Sequence, residues 1–170
     1  MDETKLARIP RVVTTGALGP KDYGLVLTDL RSIFVLEKAS KAALGGALGG
    51  VIGSAIAHAA ASRSMIDYDR ATPEELARME KSVVIPHSSI VRISLRRKLG
   101  SHRLRIDYVR EDGKEKTMEA IILPPAELVS EGKARGMKPR DTVEAYAGQI
   151  REAYVRALPP AAAAKAEWGP

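Results

Sequence analysis

A chain of 170 residues suits one domain, or one domain with an insertion, and can bury a substantial core. The absence of cysteine excludes a disulfide scaffold, thiolate metal sites and cysteine nucleophiles, and aromatics at 4% leave few stacking platforms for single-stranded nucleic acid. A formal charge of +6 favours acidic partners, and nearly all of the excess lies between Arg92 and Lys116, where nine basic residues outnumber four acids.

In chain order, MDETKLARIP lacks the apolar core of a secretory leader, so a cytoplasmic protein is expected. The β-branched run in residues 8–18 reads as a first strand, ended by Gly16 and a Gly-Pro turn. LVLT (25–28) and SIFVLE (32–37) read as a hairpin turning at Asp29, Leu30 and Arg31. Both runs are too continuous for a sheet with one wet face, so a sheet covered on both faces is expected there.

After Glu37 the apolar period lengthens from two to four through Leu44, Leu48, Ile52 and Ile56, which predicts a helix over 40–62. A second helix follows over 71–81, with Thr72 as N-cap, Pro73 at the first helical position and Glu75 closing a capping box. Residues 38–82 therefore read as a helical insertion between strands. Strand character returns at Val83, with Val91, Ile93 and Leu95 alternating against Arg92, Ser94 and Arg96. Asp112-Gly113 predicts a hairpin between RLRIDYVR and EKTMEAIIL, with Leu104, Ile106 and Tyr108 facing inward. Pro124-Pro125 ends the strands, and a Gly- and Lys-bearing connection leads to a helix over 142–158, capped by Asp141 and apolar along Val143, Tyr146, Ala147, Ile150, Tyr154 and Leu158. Residues 159–170 read as a tail, frayed or tethering, in which Trp168 is an unusual residue to leave in water.

Two patterns carry functional expectations. Gly45, Gly49 and Gly53, beside Gly46, Gly50 and Ser54, place small residues at every fourth position, where a second backbone can approach closely. Residues 42–61 carry no charge and have the length of a membrane span, yet only five of those twenty side chains are large and apolar. Packing against a helix of another copy is the expected use, hence a homo-oligomer. The second pattern is a basic strand face of Arg92, Arg96, Arg97, Lys98, Arg103 and Arg105, suited to phosphates, an anionic membrane surface or nucleic acid. His58, His87 and His102 fit no metal-ligand spacing, and His87-Ser88-Ser89 reads as a loop before a strand rather than a nucleophile. No cofactor, metal or catalytic residue is indicated.

The phrases GLVLTDLRSIFVLE and IPHSSIVRISL resemble the strand-turn-strand and later strand entry of GRAM and bacterial pleckstrin-homology-like domains. The resemblance covers 8–37 and 83–158. It implies an α+β fold, an antiparallel barrel or sandwich whose C-terminal amphipathic helix plugs one open end, interrupted by the helical pair at 38–82. It also implies a binding module for lipid headgroups, peptides or other copies, not an enzyme, acting at a membrane surface or in a homo-oligomer. Binding of RNA or a ribosome through the strands from Arg92 to Lys116 is the alternative expectation.

Overall fold

The computed structural model describes residues 3–16, 19–39 and 66–169. The fold is α+β, an open sheet of eight strands with four helices among these residues. Strands β1 (Lys5–Gly16), β2 (Gly19–Thr28), β3 (Arg31–Ala39) and β4 (Val83–Pro86) form one half of the sheet, and helix α1 (Pro73–Arg78) precedes β4. A 3-10 turn at His87–Ser89 leads into β5 (Ile90–Lys98), β6 (Ser101–Val109) and β7 (Glu115–Ile122). Helices α2 (Ala126–Ala134), α3 (Pro139–Ala157) and α4 (Pro160–Ala163) precede a last strand, β8 (Ala166–Trp168). The strand order is β4-β3-β2-β1-β7-β6-β5-β8, antiparallel throughout except where β8 lies parallel to β5.

The two halves meet along β1. Val12, Val13 and Thr14 pair with Tyr23, Asp22 and Lys21 of β2 on one edge and with Ile122, Ile121 and Ala120 of β7 on the other. Just before this shared stretch the register slips between Ile9 and Val12, and Arg11 takes a left-handed φ of 59°. Such a bulge sharpens local twist and lets one strand serve two differently inclined neighbours. Helix α3 lies over one face of the sheet, its residues Tyr146, Ala147, Ile150, Ala153 and Tyr154 joining Val12, Leu25, Phe34, Ile93, Leu104 and Ile106 in the main core.

The hairpin at Asp29 is locked by Thr28, which is fully buried. Its hydroxyl accepts from the backbone N–H groups of Leu30 (3.1 Å) and Arg31 (2.9 Å) and lies 2.6 Å from Glu3 Oε1. Arg31 then grips both oxygens of Glu3 and reaches Glu74 of α1 at 2.9 Å. The Thr-Asp-Leu-Arg phrase thus ties the turn to the N-terminal segment and to the returning insertion, and Glu74 is held below the usual carboxylate range chiefly by its hydrogen bond from Arg31.

The sheet expected to be covered on both faces is so covered. Behind β2 and β3, Val26, Ile33 and Val35 form a second core with Tyr68 and Leu76. Gly24 is the point of closest approach, where an added Cβ would overlap Tyr68 Oη and stand 2.7 Å from Glu37 Oε1. Lys5 Nζ donates to the carbonyls of Tyr68, Asp69 and Ala71 at 2.8, 3.0 and 2.9 Å, and Arg8 lies 4.0 Å above the Tyr68 ring. The Thr72–Glu75 capping box forms with both of its reciprocal bonds.

Several expectations change. The first strand begins at Lys5 and β2 at Gly19, so Lys21 is a strand residue paired with Thr14. A bulge between Ile90 and Arg92 turns Val91 outward, 41% exposed, and Ile90 takes the inward place beside Tyr108. The Gly- and Lys-bearing connection contains α2, where Gly132 lets α2 close on α3 against Thr142. Helix α3 starts at Pro139 with Lys138 at the cap and no side-chain cap bond, so Asp141 lies inside its first turn, where a carboxylate favours the helix dipole. The tail is neither frayed nor a tether, since Trp168 packs 6.2 Å from the Tyr154 ring. The predicted helix over 40–62, with Gly45, Gly46, Gly49, Gly50, Gly53 and Ser54, lies outside the described residues.

Candidate functional site

The basic face is built by strand register. Arg96 stands opposite Arg103, Ser94 opposite Arg105, and Arg92 opposite Asp107, so Arg92, Arg96, Arg103 and Arg105 share the face of β5 and β6 turned away from α3. On β7 the same rows continue as Ile121, Glu119 and Thr117. Arg97 projects the other way, toward α3, and Lys98 is exposed where β5 turns into β6.

These cations do not form an unopposed positive patch. Arg103 meets Glu119 at 3.0 Å, and Arg105 meets Asp107 at 3.1 Å. Asp107 also accepts from Thr117 Oγ1 at 2.6 Å. Arg97 meets Glu144 at 3.2 Å. Arg92 and Arg96 close on the two oxygens of Glu167, Arg92 at 2.7 Å. Hydrogen bonding from Arg92, aided by both positive charges, holds the Glu167 carboxyl below its usual range. Only Lys98, of the six basic residues expected to bind anions, has no ion pair among the described residues. Glu119 lies across the β6–β7 hairpin, whereas Glu144 of α3 and Glu167 of the tail lie 47 and 71 residues from Arg97 and Arg96; the one hint of the last is the tryptophan beside Glu167.

At the turn beyond Lys98, Leu99 and Gly100 carry φ angles of 51° and 81°, and Leu99 is 91% exposed. A left-handed backbone suits Gly or Asn; leucine there costs roughly 1 kcal/mol and gains no burial in return.

Buried polar groups form two further clusters. His87 Nδ1 donates to the Ala157 carbonyl at 3.1 Å, which leaves Nε2 to accept from Ser32 Oγ at 3.1 Å; Tyr154 Oη lies 3.5 Å from the same hydroxyl. Ser32 and Tyr154 are fully buried and His87 nearly so. Serine and histidine here hold the end of α3 to the hairpin, and neither is open to a substrate. Burial lowers the His87 pKa, against the raising effect of its bond to Ala157, and raises that of Tyr154. In the second cluster His102, 1% exposed, lies 3.4 Å from Glu144 Oε2 but out of line, so neither ring nitrogen has a hydrogen-bond partner among the described residues. Desolvation lowers the His102 pKa, opposed by Glu144 and reinforced by Arg151 and Arg97.

Among the described residues no three metal-ligating side chains converge. Nor is any helix there long and apolar enough to cross a membrane. Compared with protein-family models, with curated proteins and with solved structures, the chain matches none of them.

Proposed function

We propose that the chain is a pleckstrin-homology-like binding and assembly module, without a catalytic role, that touches anionic membrane surfaces and gathers into homo-oligomers through the glycine pattern of residues 42–61. Seven antiparallel strands in the order β4-β3-β2-β1-β7-β6-β5, followed by one long helix packed on both halves, support the fold reading. The observation that carries the function is Leu99, thrust into solvent on a left-handed turn next to Lys98. A bilayer interface turns that cost into a gain, because burying a leucine side chain is worth about 1.5 to 3 kcal/mol. A lysine near an anionic leaflet adds about 1 kcal/mol.

The sum is a few kcal/mol, weaker than or near millimolar binding for one copy. Assembly answers that weakness, because copies joined through the glycine pattern present several tips at once and their binding multiplies. RNA or ribosome binding through Arg92 to Lys116 is the poorer reading, since most of those guanidinium groups already hold carboxylates.

Co-sedimentation with phosphatidylserine-containing vesicles tests the proposal. The wild-type chain should pellet at low salt and stay in solution with pure phosphatidylcholine; Leu99→Asp should abolish pelleting. Gly49→Leu should weaken it together with the mass measured by light scattering. A wild-type chain that remains in the supernatant at low salt refutes the membrane role, and an unchanged mass for Gly49→Leu refutes the assembly role.

A further inference from the structure

Strand β8 is the tail of the chain laid along the outer edge of β5. Ala166, Glu167 and Trp168 pair with Ile93, Ser94 and Leu95, and a bond from Ile93 N to Lys165 O, at 3.4 Å, starts the ladder. Three independent features hold this segment. The β5 main chain offers its ladder groups, Arg92 and Arg96 clamp the Glu167 carboxylate from both sides, and the Trp168 ring lies against Tyr154. Arg151 of α3 adds a hydrogen bond to the Gly169 carbonyl at 3.0 Å.

The seat and its occupant differ in how firmly they belong to the fold. Ile93, Leu95 and Tyr154 are fully buried members of the main core. Ala166, Glu167 and Trp168 are each only half-buried, and the ladder they make is three residues long. The Glu167 clamp is open to water, with its side chain 38% exposed and those of Arg92 and Arg96 52% and 57% exposed. Solvated ion pairs contribute little, and short, half-buried segments open at low free energy while the core beneath stays folded.

We propose that the outer edge of β5 is a peptide-binding groove. It takes an extended segment of a partner protein in which a glutamate is followed by a large aromatic residue, and the chain's own Glu167-Trp168 is its resident, displaceable occupant. A lone phosphate would account for the arginine clamp but not for the main-chain ladder or the aromatic seat. A strand added to a sheet edge uses all three, with affinity from the ladder and specificity from the alternate side chains. Because the resident tail is tethered, its effective concentration is of millimolar order, so a partner binds weakly until the tail is loosened. The groove is distinct from the Leu99 tip, and its test needs no lipid.

The experiment uses a fluorescein-labelled peptide of residues 160–170 and the full chain carrying Glu167→Lys with Trp168→Ala, which unseats the resident tail. Anisotropy should show saturable binding at least tenfold tighter than to the wild-type chain. A peptide with lysine in place of its glutamate should lose that binding and regain it on a chain that keeps Glu167, carries Trp168→Ala and has Arg92 and Arg96 both changed to glutamate, where the like charges of residues 92, 96 and 167 unseat the tail. An unseated chain that is folded by circular dichroism yet leaves the peptide free overturns the proposal, as does one that binds both peptides equally. A second measurement needs only the wild-type chain, whose single tryptophan is the reporter. Titration with the same peptide bearing phenylalanine instead of tryptophan should shift the emission of Trp168 to the red as the tail is displaced, and an emission that stays fixed at millimolar peptide overturns the proposal as well.

Discussion

The half-sheet β2-β3-β4 and the half-sheet β5-β6-β7 are each three antiparallel strands, yet they solve the problem of their outer faces in opposite ways. Behind the first, Val26, Ile33 and Val35 are sealed by Tyr68 and Leu76. Outside the second, the same kind of position carries Arg103, Arg105 and Asp107, linked by ion pairs in water. A face that must exclude water is written in β-branched residues and tolerates a polar atom only where it is hydrogen-bonded, as Tyr68 Oη is to Glu37, whereas a wet face is written in charges that can be exchanged at little cost.

Cutting Ile33 back to alanine gives the sharpest version of that contrast. It is fully buried, so the loss should be about 2 to 5 kcal/mol, read as a lowered urea midpoint with an unchanged slope. Next comes Gly24→Ala, which forces Tyr68 and Glu37 aside and should cost about 1 to 3 kcal/mol, with the same readout. Acid should act on the core the two halves share. His87 and His102 both take up a proton less readily in the folded chain, whereas an unfolded imidazole titrates near ~6.5. Above that pH both states carry neutral rings and stability is level. As pH falls through and below it the unfolded chain protonates first, so urea midpoints should drop on the acid side until the folded rings are protonated too. A His87→Gln, His102→Gln chain should lose most of this slope. The smallest effect belongs to Arg105→Ala on the wet face, where a solvated pair is worth about 0 to 1 kcal/mol. A large loss there would mean that the two outer faces are not as different as they look.

The features legible in the sequence are those whose causes are local. The turn residues at Asp29 and at Asp112-Gly113, the Thr72–Glu75 capping box and the unbroken apolar runs of β2 and β3 each carry their instruction within a few positions. Helix α2 was hidden because its Ser, Gly and Lys content gives no apolar stripe, and it is held by close approach of Gly132 to α3. The site was half legible for the same reason. Alternation along β5 and β6 places Arg92, Arg96, Arg103 and Arg105 on one face, with Asp107, the partner of Arg105, two positions along the same strand, but Glu119 comes from a neighbouring strand and Glu167 from the tail. The outward turn of Val91 depends on a bulge, which no side-chain pattern announces.

The bond between Tyr68 Oη and Glu37, 2.7 Å long, also has a meaning for the chain's modularity. It brings together Glu37, shortly before position 40, and Tyr68, shortly after position 65, so the chain leaves the sheet and returns to it at neighbouring points. Closing such a loop costs an entropy that grows only with the logarithm of its length. The Glu37–Tyr68 bond thus fixes where the connection starts and ends, so its closure costs little more for a long segment than for a short one.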